Sequence, residues 1–472
     1  MQRRYAVPRR VSLTFACAQV SHNPGAAPSL RHSLSGDRSA MPLSCGTGTS
    51  PGTGHAHSRR LRLVIDSWAM NENPAVLLSP EGREILARVA ALWGDDAPGT
   101  GLAVAEALRR EYPASLAAAA MAQHELRLAA RAKFDRAMEM LFTRDGYEQA
   151  SSETIARHRA ARFGGASRVA DLCCGIGGDL IALAAASRAL DAPAAALAVD
   201  RDEVHARLAQ HNAGVYEVAD RVRACVADVR DVALRGIGAV FIDPARRAGT
   251  RRFRAGVSEP PLGWCLGLTE RVPAVCVKAA PGLPAGLIPA GWEAEFIADG
   301  RDLKEAVLWS PAFATAARRA TILPAGDTLA GQPGAPGDPV PVGEPGEYLL
   351  DPSPAVTRAG LVEDLARRLG ARKIDPLIAF LTTGRAVSTP FARTLRVVES
   401  APWNEKRFAA RLRELGVGAA DVRRRGLAGD VEAIRRRLRL AGPRRATVVL
   451  TRVGDRPWGL ICAEPGDPGA PG

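Results

Sequence analysis

The chain has 472 residues, 47% of them hydrophobic and 24% charged, which is enough for two or three domains and ordinary for a globular protein. Its net charge of +13 favours a polyanionic partner, nucleic acid being the commonest. Eight scattered cysteines, without a CxxC pair or a Cys/His cluster, argue against structural zinc, a bound metal or a disulfide framework, and point to a reducing, cytoplasmic setting. The most apolar stretches are broken by charge, as by Arg188 and Asp191 within 180–199, so no membrane span is expected.

Residues 1–67 are rich in Arg, Ser, Gly, Pro and His without sustained periodicity and read as a disordered tail. Arg3, Arg4, Arg9 and Arg10 before 11–18 imitate an export signal, but that run is short and broken by Ser12 and Thr14. A true start at Met41 or Met70 explains the tail better. A helical N-terminal domain is expected over 70–150. Ser79-Pro80-Glu81 supplies an N-cap, a first-position proline and an acid, and Ile85, Leu86, Val89 and Leu92 keep helical spacing. A second helix is expected over 102–112, stopped by Pro113, and a third, long one over 114–141, with Lys133 and Arg136 on its solvated face. The polar loop with Tyr147, Glu148 and Gln149 leads to Ser151 or Ser152 as the N-cap of a short helix. That loop either covers a ligand or simply connects two domains; composition does not separate the two.

Arg168 to Asp179, RVADLCCGIGGD, is the most informative stretch. A short apolar strand carrying Asp171 runs into a glycine turn and then an apolar helix, which lets a ligand approach bare backbone N–H groups. The turn is CGIGG rather than GxGxxG, and a carboxylate precedes it. A phosphate would avoid that anion; S-adenosylmethionine, with its sulfonium and ammonium, would favour it. Strand and helix then alternate, which argues a Rossmann-like α/β parallel sheet over 151–325. Strands are expected at 195–199 ending in Asp200, at 222–226 followed by Asp228, at 239–242 ending in Asp243-Pro244, and at 272–277. A hairpin of 294–298 with 306–309 closes the domain.

Each of these acids stands at a strand's carboxyl end, where open α/β sheets bind ligands. Asp171, Cys173, Gly175, Gly177, Asp200, Asp228 and Val229 are therefore the candidate S-adenosylmethionine residues, with Asp200 on the ribose hydroxyls, Asp228 on the adenine amino group and the Val229 N–H facing the ring. Asp243 and Pro244 are placed to orient the acceptor. Arg246 and Arg247, with Arg251, Arg252 and Arg254 beyond, either hold substrate phosphates or form a solvated basic loop. Lys278 either faces substrate phosphate or caps its strand. Methyl transfer depends chiefly on alignment, so the lack of a Ser/His/Asp set does not count against an enzyme.

Residues 326–346 read as a Pro/Gly loop, 347–398 as a connecting region with a helix at 361–369, and 399–465 as a small α+β domain. The end, 466–472, reads as disordered. The runs Arg423 to Arg425, Arg435 to Arg437 with Arg439, and Arg444-Arg445 are either an RNA-binding surface or solvated basic helices. Aromatics are few there, namely Trp403, Phe408 and Trp458, which favours phosphate and shape reading over base stacking.

Residues 142–247, with DLCCGIGGD at 171–179 and DPARR at 243–247, resemble the actinobacterial class I methyltransferases that carry a C-terminal THUMP-like domain. LRELGVG and RRRLRL near the end resemble that THUMP-like module, and the resemblance covers most of the chain from about Met70. More distantly, the region is similar to trimethylguanosine synthases. Their S-x-T-P-E covering run corresponds to 149–153, and their N-A-x-V-Y run to Asn212 through Tyr216. The resemblance implies an RNA substrate. The synthases' Pro-Pro-Trp is absent, because Pro244 is followed by Ala245 and Arg246. DPAR also resembles the RNA 5-methyluridine enzymes, but their cysteine nucleophile position is Ala279 here, and Cys276 lies inside the strand; covalent C5 methylation is disfavoured. The expectation is direct methylation of a nitrogen on an RNA base. A small-molecule or protein methyltransferase, or a non-catalytic S-adenosylmethionine- and RNA-binding protein, are the alternatives.

Overall fold

Residues 73–93, 101–186, 195–245, 247–248, 251–252, 258–332 and 339–466 are described by a computed structural model. The tail expected at 1–67, residues 467–472 and Arg246 lie outside the described residues.

The chain opens with three packed helices, α1 Pro80–Trp93, α2 Gly101–Glu111 and α3 Ala114–Ala130. The Ser79 hydroxyl accepts the Gly82 N–H at 3.0 Å, so the capping signal works as expected. Leu77, Ile85, Leu108 and Leu141 share one core with Ile176 and Leu208, so this domain is packed directly against the elements that follow. The third helix stops at Ala130 and not at 141. Side chains hold the next twelve or so residues in turns instead. Arg127 Nε donates to the Met140 carbonyl at 2.8 Å, and buried Asn212 both donates to and accepts from the Leu141 backbone. Lys133 is not on a solvated face: its ammonium donates to the carbonyls of Tyr147, Glu148 and Ala150. Two short helices follow, α4 Arg144–Gln149 and α5 Glu153–Ala160.

The central sheet is built from β1 Arg168–Leu172, β2 Ala195–Asp200, β3 Val222–Val226, β4 Ala239–Ile242, β5 Ala274–Ala279, β6 Glu293–Asp299, β7 Asp302–Trp309, β8 Arg318–Leu323 and β9 Asp327–Gly331. Their order is β9-β8-β6-β7-β5-β4-β1-β2-β3. The block from β3 to β5 is parallel, and β7 runs antiparallel between β5 and β6. Helices α6 Gly178–Ala186 and α7 Glu203–Val215 make the first two crossovers. Strands buried on both faces read as continuous apolar runs: along β4, Val240 and Ile242 enter one core layer, Ala239 and Phe241 the other. Beyond the expected hairpin the sheet gains β8 and β9, the latter inside the stretch expected as a loop.

The stretch 347–398, expected as a connection, is itself folded. It supplies β10 Tyr348–Pro352, α8 Pro354–Ala359, α9 Val362–Leu369, β11 Arg372–Lys373, β12 Leu381–Thr383 and the start of β13 Ala392–Pro402. Strands of two or three residues carry too little alternation to be seen in a sequence. With β14 Val417–Arg424, β15 Arg444–Val453 and β16 Arg456–Ala463 they form a second sheet, ordered β11-β12-β10-β13-β16-β15-β14. Helices α10 Glu405–Glu414 and α11 Val431–Leu438 cover it, with Phe408, Leu412 and Leu438 buried in their shared core. No described helix is long and apolar enough to cross a membrane.

Candidate functional site

At the end of β1 the chain must turn sharply to enter α6. Cys173 takes φ +62°, a left-handed value unusual for a residue with a Cβ, and Gly175 and Gly177 take +52° and +86°. Cys174 N–H donates to the Val199 carbonyl at 3.1 Å, and Asn212 Nδ2 donates to the Ile176 carbonyl at 2.9 Å, so neighbouring elements pin the turn. A Cβ added at Gly175 would meet nothing within 4 Å. That open side lies on a cleft. A Cβ at Gly177 would come within 3.0 Å of Ala209 Cα in α7. Gly177 is thus a packing residue and not, as expected, part of the ligand wall.

The cleft, about 290 Å³, runs along the carboxyl ends of the parallel strands. Asp171, Cys173, Gly175, Asp200, Asp228, Val229, Asp243 and Pro244 all line it, as the spacing of strand ends implied. Their environments differ sharply. Asp171 is 1% exposed, and neither carboxylate oxygen has a hydrogen-bond partner among the described residues. Burial, then Asp179, Asp243 and Asp200, pushes its carboxyl well above the ordinary range. A buried carboxylate without donors is costly, and a cationic ligand with N–H groups is what would relieve it.

Asp200 is better satisfied. Its Oδ2 accepts the Gly175 N–H and its Oδ1 the Asp202 N–H, both at 2.9 Å, and His205 Nδ1 stands 3.8 Å away. Burial alone would raise this carboxyl; the His205 ring and the two amides outweigh it and hold the group below its ordinary value. Each oxygen keeps a lone pair for a ligand hydroxyl. Asp228 stands half-exposed at the rim, where Oδ1 accepts the Arg230 N–H at 2.9 Å, and Val229 is buried beside it.

Asp243 continues directly from β4. Its Oδ2 accepts from Lys278 Nζ at 2.6 Å. Lys278 is only 4% exposed and bonds Ser151 Oγ as well, so of its two expected roles, substrate phosphate contact or strand cap, its burial disfavours the first. Of Arg247 only the backbone is described, in a short antiparallel pairing of 247–248 with 251–252.

The polar loop before the sheet does reach the cleft, through Gly146, Gln149 and Ala150; Tyr147 and Glu148 are not in the wall. Tyr147 instead packs edge-on against Phe142 with Lys133 over its ring. Sequence reasoning missed Asp179, Ser151, Arg159, His205 and the Arg230–Glu259 pair at the cleft mouth. Asp179 and His205 carried a signal, since one closes the glycine turn and the other follows the helix cap Asp202. Arg159 carried none.

Comparisons with known proteins agree with this geometry. Residues 166–255 match a family described as RNA cap guanine-N2 methyltransferase, 392–464 one described as THUMP domain-like, and 72–130 a domain of unknown function. An uncharacterized S-adenosylmethionine-dependent methyltransferase of Mycobacterium tuberculosis, from two strains, is 38% identical over 327 residues, spanning 67% of this chain and 86% of its own length. A crystal structure described as that of a methyltransferase from Porphyromonas gingivalis W83 superposes with a TM-score of 0.66 at 21% identity, over 82% of this chain and 99% of the other. The last likeness concerns the fold.

Proposed function

The chain belongs to the class I S-adenosylmethionine-dependent methyltransferases, and on that premise we propose that it methylates a nitrogen of an RNA base by direct transfer. When bound, S-adenosylmethionine supplies a methyl group activated by the sulfonium it leaves. The described residues fit it: Asp171 would take its ammonium, the open face of Gly175 would admit it closely, Asp200 would take the ribose hydroxyls, and Asp228 with Val229 would take the adenine. Everything else required is alignment.

The observation that carries the acceptor reading is the Asp243 carboxylate, held at one oxygen by Lys278 and standing with Pro244 in the same cleft as Asp171. An anionic acceptor oriented in this way suits an N–H group. It fixes the nitrogen for attack, and the proton that leaves after transfer passes to water. Covalent chemistry at carbon finds no support. Ala279 ends β5, and Cys276 is fully buried with its thiol pushed far above its ordinary range by burial.

RNA is supported by the guanine-N2 methyltransferase match, which spans both Asp171 and Asp243, and by the THUMP domain-like match. It is also supported by the way the second sheet sorts its arginines. Arg425 is tied to Asp351, Arg437 to Glu405 and Arg423 to Asp421. Arg436, Arg439 and Arg445 line an open groove of about 900 Å³ beside α11, together with the paired Arg393 and Arg435 and their partners Asp421, Glu464 and Glu432; the first three arginines are where phosphates would be held. Mass spectrometry of RNA nucleosides from a deletion strain tests the proposal. One N-methylated nucleoside should disappear, return with the wild-type chain and fail to return with Asp243→Ala. An unchanged nucleoside profile, with methyl label entering protein or small molecules instead, would overturn it.

A further inference from the structure

Lys278 is a buried cation in a strand whose preceding residues, Val275 to Val277, are all apolar and fully buried. Burying an ammonium costs several kcal/mol unless it is paired, and an aliphatic residue would serve the core better. The ion pair is with Asp243, at 2.6 Å. Parallel pairing of Ile242 with Val277 sets the two residues side by side at the ends of β4 and β5. A second contact, Ser151 Oγ at 3.0 Å, stops the ammonium from swinging. Ser151 is itself held, accepting from Arg159 Nη2 at 2.7 Å, and Arg159 is locked between Asp179 and Glu305. Ser151 also follows Ala150, which lines the cleft. The lysine therefore joins the loop over the cofactor side of the cleft to the acid on the acceptor side.

We propose that Lys278 is a positioning residue for methyl transfer: clamped by Ser151, its ammonium fixes one oxygen of Asp243 and leaves the other to meet the acceptor nitrogen. Asp243 Oδ1 has no partner among the described residues, and the side chain is 23% exposed at the cleft. Without the clamp the carboxylate is free to rotate. Misplacement by about an ångström costs on the order of 100-fold in rate when a reaction depends on alignment. The inference rests on the methyl-transfer reading above and adds to it a residue that need touch neither substrate nor cofactor.

Four full-length variants test it: Lys278→Met, Ser151→Ala, Asp243→Asn and the double variant Asp243→Asn/Lys278→Met. RNA from the deletion strain is the acceptor, and calorimetry follows S-adenosylmethionine binding separately. Lys278→Met is expected to lower kcat by about 100-fold while KM for RNA and cofactor affinity hold within about twofold. The double variant is expected to be no slower than Asp243→Asn alone, because Lys278 acts only through that carboxylate. Ser151→Ala keeps the charge and removes the clamp, so a smaller loss in kcat is expected even if Lys278→Met folds poorly. Wild-type kcat in Lys278→Met and Ser151→Ala, or additive losses in the double variant, would overturn the inference. If the wild-type chain methylates none of that RNA, the substrate reading fails instead. The crystal structure of Lys278→Met then decides the positioning claim: a displaced Asp243 carboxylate supports it, and an unmoved one overturns it.

Discussion

Two sets of buried carboxylates sit in one sheet and behave in opposite ways. Glu293, Glu295 and Glu305 in the β6–β7 hairpin are at most 2% exposed, and each has at least one charged partner. Glu293 accepts from Arg162 and Arg319, each at 2.7 Å, and from the Thr315 N–H at 2.8 Å. Glu295 accepts from the Trp309 indole and the Thr321 hydroxyl and contacts His158, while Glu305 pairs with Arg159. Asp171, equally buried, has no hydrogen-bond partner for either oxygen among the described residues. Burial would raise Glu293, yet Arg162, the Thr315 amide and Arg319 bring it down to about 2; the same burial drives Asp171 up. Satisfied charge here is architecture, and unsatisfied charge marks the place where a ligand completes the protein.

The largest expected effect separates the acceptor acid from both sets. Asp243→Ala should lower methyl transfer by about 1,000-fold, within the usual range for an acid-base or orienting group, with cofactor affinity retained. Transfer of labelled methyl to RNA alongside calorimetry reads both quantities. Loss of cofactor binding would move Asp243 into the cofactor set. Next, Glu305→Gln leaves Arg159 with Asp179 as its remaining carboxylate and should destabilise the fold by about 3 kcal/mol, read from the urea midpoint.

The pH dependence of stability sharpens the contrast, because the two sets carry opposite signs. The Glu293 carboxyl is lowered in the folded state from 4.5 to about 2. Its contribution is therefore present above pH 4.5 and lost as pH falls toward 2, so the stability gap between wild type and Glu293→Gln should close over that window. Asp171 is raised in the folded state, so in cofactor-free protein its contribution is fully present below the ordinary carboxylate range and is lost as pH rises from there through the folded-state value, and Asp171→Asn should gain on wild type over that window. Urea unfolding at stepped pH measures both gaps. Smaller effects divide the glycine turn. Gly177→Ala should cost about 1–2 kcal/mol through Ala209 and the positive φ, with modest change in cofactor affinity. Gly175→Ala should cost less stability and more affinity, as thermal melts and calorimetry on the same samples would show.

What the sequence made legible were features written over a few consecutive residues. The apolar runs ending in Asp200 and Asp243, and the glycine turn between β1 and α6, needed only local spacing, and eight expected site residues meet in one cleft. What it hid were contacts made across the fold. Lys278 and Ser151 are 127 residues apart, Arg159 and Glu305 146, and no local pattern announces either pair. Burial was hidden for the same reason: nothing near Asp171 in the chain says that its oxygens lack donors. The third helix was drawn too long because apolar spacing continues past Ala130 through Phe134 and Leu141, although those residues reach the same core from turns. Counting arginines in the C-terminal runs likewise missed that carboxylates already hold several of them.

The most direct test is a calorimetric titration of S-adenosylmethionine into wild-type protein and Asp171→Asn at neutral pH, with thermal melts of the cofactor-free samples. The variant should bind at least about 30-fold more weakly, the loss expected when a buried charge partner is removed, while its cofactor-free Tm rises. Equal affinity in the two proteins would contradict the assignment of Asp171 to the cofactor's positive charge.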